Sequence, residues 1–107
     1  MTELSIQGLM DQLPERFKPA KAAGVNAVVL IRVSGKGGGD WTVTILNQEC
    51  SVINGATATP NLTVNATAKD LLDIFSGKLN ATRAYMMGRL KLLGNFNLAM
   101  RLVNFFQ

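Results

Sequence analysis

Ala84-Tyr85-Met86-Met87-Gly88-Arg89-Leu90-Lys91-Leu92-Leu93-Gly94, preceded by Gly77-Lys78-Leu79 and followed by Asn95-Phe96-Asn97-Leu98-Ala99-Met100, is the stretch on which the fold turns. Gly88 and Gly94 bracket five residues in which basic and apolar side chains at first alternate, the two-residue period of a strand. A Tyr-Met-Met cluster stands just before that strand and an amphipathic segment just after it. Soft apolar side chains beside a small sheet suit a flexible apolar guest, because thioethers reshape themselves around irregular surfaces.

Upstream, Leu71, Leu72, Ile74 and Phe75 give one side of a helix that Thr67 caps, Asp70 supports from its first turn and Gly77 stops. Asn80 caps a short helix carrying Ala84 and Met87. Beyond the strand at 89–93, Asn95 caps a last helix whose Leu98, Ala99, Leu102, Val103 and Phe106 share a face, broadened by Phe96, Met100 and Phe105. Near the N-terminus, Ile6, Leu9, Met10, Leu13 and Phe17 recur every three or four residues, a helical stripe with Ser5 as its cap. Gly8 weakens this helix, Pro14 is expected to end or bend it, and residues 20–23 add one more turn after Pro19.

Residues 25–33 read as a strand with Ala27, Val29, Ile31 and Val33 on one face and Arg32 toward water. After a glycine-rich hairpin loop at 34–40, Trp41, Val43 and Ile45 point inward and Thr42 and Thr44 outward. Residues 49–54 follow a turn at Asn47-Gln48, and 62–64 form a short fourth strand. The first three strands, joined by short turns, predict an antiparallel meander. No repeat or linker breaks the pattern, so residues 1–107 are expected to act as one domain.

The chain is 48% apolar and 17% charged, a globular balance. Its longest apolar run, Ala27-Val28-Val29-Leu30-Ile31, falls far short of the roughly 18–20 residues of a membrane span. Met1-Thr2-Glu3-Leu4-Ser5 lacks the basic start and apolar block of a secretory signal, and one cysteine forms no internal disulfide, so a cytoplasmic location is expected. A net charge of +4 admits nucleic acid, an anionic membrane or an acidic ligand. The cations are dispersed, only Arg83, Arg89 and Lys91 forming a local group, and no nucleic-acid recognition motif is present, so nucleic acid is not an expected partner.

There is no histidine, which removes the usual general base and the commonest metal ligand. With one cysteine, neither a zinc constellation nor a Cys-His nucleophile can be built, and the acids fall in loops, caps and solvated faces. No metal, cofactor or catalytic residue is expected. Gly35-Lys36-Gly37-Gly38-Gly39 lacks the spacing of a phosphate-binding loop and reads as a flexible hairpin. Cys50 reads as a small hydrophobe in a strand. Met10, Met86, Met87 and Met100, with Phe75, Phe96, Phe105 and Phe106, sit on or beside helices, either as ordinary core or as a deformable wall. The last helix is apolar over so much of its girth that it needs a second neighbour: a ligand, a subunit or a membrane.

The order of helix, meander with Trp41 in its second strand, fourth strand, Thr67-capped helix, Gly77-Lys78-Leu79, the Ala84–Asn95 run and terminal helix resembles the sterol carrier protein type 2 (SCP-2) family over essentially the whole chain. The resemblance implies a mostly antiparallel five-stranded sheet with helices packed over one face, enclosing an apolar tunnel. It implies a non-enzymatic carrier of fatty acid, fatty acyl-CoA or sterol-like lipid. Gly94-Asn95 replaces a frequent Gly-Asp, and Asn caps as well. The last residues, Asn104-Phe105-Phe106-Gln107, carry no Ser-Lys-Leu peroxisomal address, which favours a prokaryotic or cytosolic single-domain member.

The expected lipid contacts are Met10, Leu13, Phe75, Met86, Met87, Leu98, Leu102 and Phe105. Arg83, Arg89 and Lys91 are expected to meet an anionic head group or touch an anionic membrane transiently. The alternative is an interaction module in which the last helix pairs with another copy, a homodimer. An enzyme acting on an acyl-CoA-like substrate in the same pocket is the third class.

Overall fold

One face of every strand is apolar, and the structure turns all of those faces the same way. The protein, seen here as a computed structural model, is described over residues 5–57 and 59–105. Its elements are α1 (Ile6–Arg16), a 3₁₀ turn (Pro19–Ala22), β1 (Ala27–Ser34), β2 (Gly39–Leu46), β3 (Glu49–Asn54), β4 (Leu62–Thr67), α2 (Ala68–Phe75), α3 (Ala81–Met86), β5 (Leu90–Gly94) and α4 (Phe96–Phe105). Among the described residues five strands form one sheet, in the order β3-β2-β1-β4-β5. The meander of β1, β2 and β3 is antiparallel, as is β4 with β5, whereas β4 lies parallel to β1. The fold is therefore α+β, with a mixed, mostly antiparallel sheet.

Register aligns the inward side chains in rows. Val43, Val29 and Leu62 stand side by side on β2, β1 and β4, and Trp41, Ile31, Val64 and Leu92 form the next row. The helices cover this face with Ile6, Leu9, Met10, Leu13, Leu71, Leu98 and Phe105, all buried. The β2–β3 turn is set by Asn47 and Gln48, both at positive φ (52° and 63°), the geometry that matches the strand twist in a two-residue hairpin.

The parallel pairing requires the chain to pass β2 and β1 on its way from β3 to β4. It does so over the face away from the helices. At one end of the connection Thr42 Oγ1 donates to the Gly55 carbonyl (2.8 Å). At the other, the Asn61 N–H donates to the Val28 carbonyl (2.8 Å) and Asn61 Oδ1 accepts from the Val28 N–H (2.7 Å). Two departures from simple alternation follow. Thr42, expected in water, is only 4% exposed, and Leu30, which points the same way, is buried.

The helix ends follow the expected chemistry. Ser5 Oγ accepts from the Gly8 N–H, Thr67 Oγ1 from Asp70, Asn80 Oδ1 from Thr82 and Arg83, and Asn95 Oδ1 from Leu98. Pro14 does not end α1, which runs on to Arg16 at the cost of one hydrogen bond to the Met10 carbonyl. α2 and α3 finish alike. The Gly77 and Lys78 N–H groups return to Ile74 and Asp73, and those of Gly88 and Arg89 return to Tyr85 and Ala84, the paired bonds of a Schellman stop. The end of α4 clasps the end of α1: the Lys18 N–H donates to the Phe105 carbonyl (2.7 Å), and the rings of Phe17 and Phe105 meet edge to face at 6.2 Å. The Val103 side chain and Phe106, expected on the apolar face of α4, lie outside the described residues.

Gly94 joins β5 to α4 at φ 110°, pressed against the start of β4; a Cβ there would sit 2.5 Å from the Asn61 carbonyl oxygen. Gly55 has a similar φ of 111° but open space around it. Urea unfolding should therefore show Gly94→Ala losing about 2–4 kcal/mol and Gly55→Ala only about 1–2 kcal/mol, the cost of the backbone conformation alone.

Candidate lipid-binding site

Inward leucines and valines from four strands make an apolar floor, but the helices above it bring small side chains at two places, Ala81 and Ala99. A close-packed core would carry bulk there. What remains is a cavity of about 150 Å³. Its floor is Val29 and Ile31 of β1, Val43 of β2, Leu62 and Val64 of β4, and Leu90 and Leu92 of β5. Its roof is Leu13 and Arg16 of α1, Leu71, Ile74 and Phe75 of α2, Ala81 of α3, and Ala99 and Leu102 of α4. A water needs about 10–15 Å³ of such space, so there is room for roughly ten water- or methylene-sized groups.

Arg16 is the one charged residue in this wall. It is half-buried and donates over long distances, from Nη1 to the Phe75 carbonyl (3.5 Å) and from Nη2 to Gln12 Oε1 (3.4 Å). No carboxylate among the described residues pairs with it; the two ion pairs found there are Arg32–Asp40 and Lys69–Asp73. An apolar cavity whose wall holds one cation, with no carboxylate partner among the described residues, has the chemistry to suit a hydrocarbon chain with a negative head.

The residues singled out in the sequence divide three ways. Leu13, Phe75 and Leu102 line the cavity. Met10, Leu98 and Phe105 are buried in the core around it and do not reach its surface. Met86 and Met87 are 78% and 56% exposed, outside the chamber. The cause is local: helical phase sets Met86 about 200° around α3 from inward Ala84, and Met87 stands past the end of the helix as its cap, so both methionines are left in solvent. Arg83, Arg89 and Lys91 are likewise exposed and take no part in the wall. Sequence reading passed over Arg16, whose signal was its place one helical turn from Leu13 at the end of the apolar stripe. It also left out the strand residues of the floor, although alternation had already turned Val29, Ile31 and Val43 inward.

A model of the SCP-2 sterol transfer family matches residues 6–107. The chain belongs to that family. It is 38% identical over 80 residues to Peroxisomal multifunctional enzyme A of Dictyostelium discoideum, an alignment that covers 73% of this chain and 18% of that protein. It is 36% identical over 64 residues to Sterol carrier protein 2 of Oryctolagus cuniculus, 60% of this chain and 12% of that protein. The chain thus spans less than a fifth of the length of these relatives. Palmitated SCP2L2 of Aedes aegypti, solved in solution by NMR, shares the fold with a TM-score of 0.77 at 26% identity, over 94% of this chain and 92% of that one. SCP-2 membership brings lipid binding and transfer in general.

Cys50 lies on β3 opposite Ile45, half-buried and packed against the core. Burial pushes its thiol up to about 11. A thiol raised in this way is still more completely protonated at neutral pH, so the nucleophilic thiolate is scarce. Iodoacetamide should leave the folded protein almost unlabelled at pH 7.5, with the rate climbing toward pH 11, while the urea-unfolded chain labels readily near the ordinary thiol range.

Proposed function

We propose that this chain is a non-enzymatic lipid carrier, working as one unit over residues 1–107. Its cavity takes the hydrocarbon chain of a fatty acid or a related long-chain anionic lipid, and Arg16 holds the negative head. The observation that carries this reading is the nearly all-apolar cavity with one guanidinium in its wall that has no carboxylate partner among the described residues. Leu13, Phe75 and Leu102 contact the chain; Met10, Leu98 and Phe105 hold the wall from behind. The likeness to a protein solved in palmitated form supports a fatty acid as guest. The sequence has no histidine, which supports carriage over turnover. Transient contact with anionic membranes, through the basic residues of the C-terminal third, would bring the carrier to its cargo. Among the described residues no helix is long and apolar enough to cross a membrane.

Magnitudes show why Arg16 matters. Roughly ten methylenes at about 0.8 kcal/mol each give about 8 kcal/mol of desolvation. Loss of free motion removes at least about 4 kcal/mol of it, which leaves millimolar binding. A charge-assisted hydrogen bond adds about 1.5–3 kcal/mol, ten- to a hundredfold in affinity.

Native mass spectrometry of the protein titrated with palmitate should show one palmitate per chain. Arg16→Ala should weaken palmitate about ten- to hundredfold yet leave hexadecanol, which has no carboxylate, nearly unchanged. Ala81→Phe should fill the cavity and weaken both. Wild-type protein that retains neither palmitate nor palmitoyl-CoA would rule the carrier out.

A further inference from the structure

The helices that roof the cavity carry a second surface on their outer sides, and its composition is one-sided. From Ile74 onward the chain holds five cations, Lys78, Arg83, Arg89, Lys91 and Arg101, and no aspartate or glutamate; all seven acids come earlier. On α3 and at the start of α4, large apolar side chains stand in solvent: Met86, Met87, Phe96 and Met100 are all more than 40% exposed. The rings of Tyr85 and Phe96, 5.3 Å apart and tilted by 56°, join the end of α3 to the first turn of α4. Phe96 and Met100 lie one turn apart, on the side of α4 away from buried Leu98. Arg83 and Arg89 flank the methionines, exposed and without an ion pair among the described residues.

We propose that this α3–α4 face is a docking surface for an anionic bilayer, with Met86, Met87, Phe96 and Met100 entering the interfacial layer and Arg83 and Arg89 resting among the head groups. Exposed apolar side chains gain by leaving water, and long cations flanking them keep their charge at head-group level. The sign of the charge selects the occupant. A second copy meeting the same face about a two-fold axis would set these arginines near one another with no acid to offset them, whereas an anionic membrane supplies the opposite charge. The inner sides of the same helices, through Ala81, Ala99 and Leu102, roof the cavity. A docked molecule therefore holds its chamber one helix away from the bilayer, and here the inference rests on the lipid-carrier reading.

The test is flotation of the full chain with vesicles of phosphatidylcholine alone and of phosphatidylcholine with phosphatidylglycerol, alongside palmitate loading by native mass spectrometry. Wild-type protein should float only with the anionic vesicles and be released by about 0.5 M salt. Arg83→Glu with Arg89→Glu should weaken that association about thirtyfold or more, at about 1 kcal/mol per cation. Met86→Gln with Met87→Gln should weaken it as well, and both double variants should keep the wild-type unfolding midpoint and palmitate load. Equal flotation with both vesicle types, none with the anionic ones, or indifference to charge reversal would overturn the proposal. So would a dimer in sedimentation that Met86→Gln with Met87→Gln disperses while vesicle binding is absent. Protein that floats as expected yet holds no palmitate supports the docking face and refutes the cavity's proposed role.

Discussion

The parallel pairing of β1 with β4 is the constraint from which the rest of the molecule follows. It sets Leu62, Val64 and, one strand further, Leu92 beside Val29 and Ile31, so that the apolar floor extends over β2, β1, β4 and β5. It also forces the β3–β4 connection across the opposite face, where Thr42 and Leu30 are covered and the Thr42 hydroxyl finds an acceptor at Gly55. With that face closed by a connection, α1 to α4 gather on the other one. The cavity lies at their junction because α3 and α4 present alanines to a floor of leucines and valines.

Much of this was legible from residue chemistry. Alternation gave the inward faces of β1 and β2, and the capping roles of Ser5, Thr67, Asn80 and Asn95 all correspond to real hydrogen bonds. Two local signals were outweighed. Pro14 removes the hydrogen bond to the Met10 carbonyl and crowds it, yet α1 runs on to Arg16 and delivers Phe17 to the core. Thr42 was read outward because periodicity identifies a side of the sheet but says nothing about a connection 13 residues later that covers it. The parallel pairing was equally out of reach, since it depends on which strand β4 meets and not on any residue within β4.

The site was less legible than the fold, for a physical reason. An apolar side chain that lines a cavity and one that fills the core obey the same patterns, so Leu13 and Met10 look alike in sequence although only Leu13 faces the chamber. What marks the chamber is missing volume at Ala81 and Ala99, and small residues in helices are common enough to pass without notice. The methionines failed as markers for the opposite reason. Their composition suggested a deformable wall, but Met86 lies on the side of α3 opposite inward Ala84, so that softness belongs to the molecule's exterior. Arg16 combines two legible properties, a place on α1 and a charge, and what gives it meaning is that no carboxylate among the described residues pairs with it.

The crossing connection also orders the assembly of the molecule in time. β1, β2 and β3 are joined by short turns and pair with near neighbours, whereas Leu62 must find Val29, 33 residues away along the chain. Closing that loop costs entropy before any contact rewards it. The expected order is a meander first and the β4–β5 half with its helices afterwards. Until then the β1 edge of the unfinished sheet is unpaired. On that order the chamber, which needs β4, β5 and the helices that follow β4, would close last, and the nascent chain would be most open to association before β4 arrives.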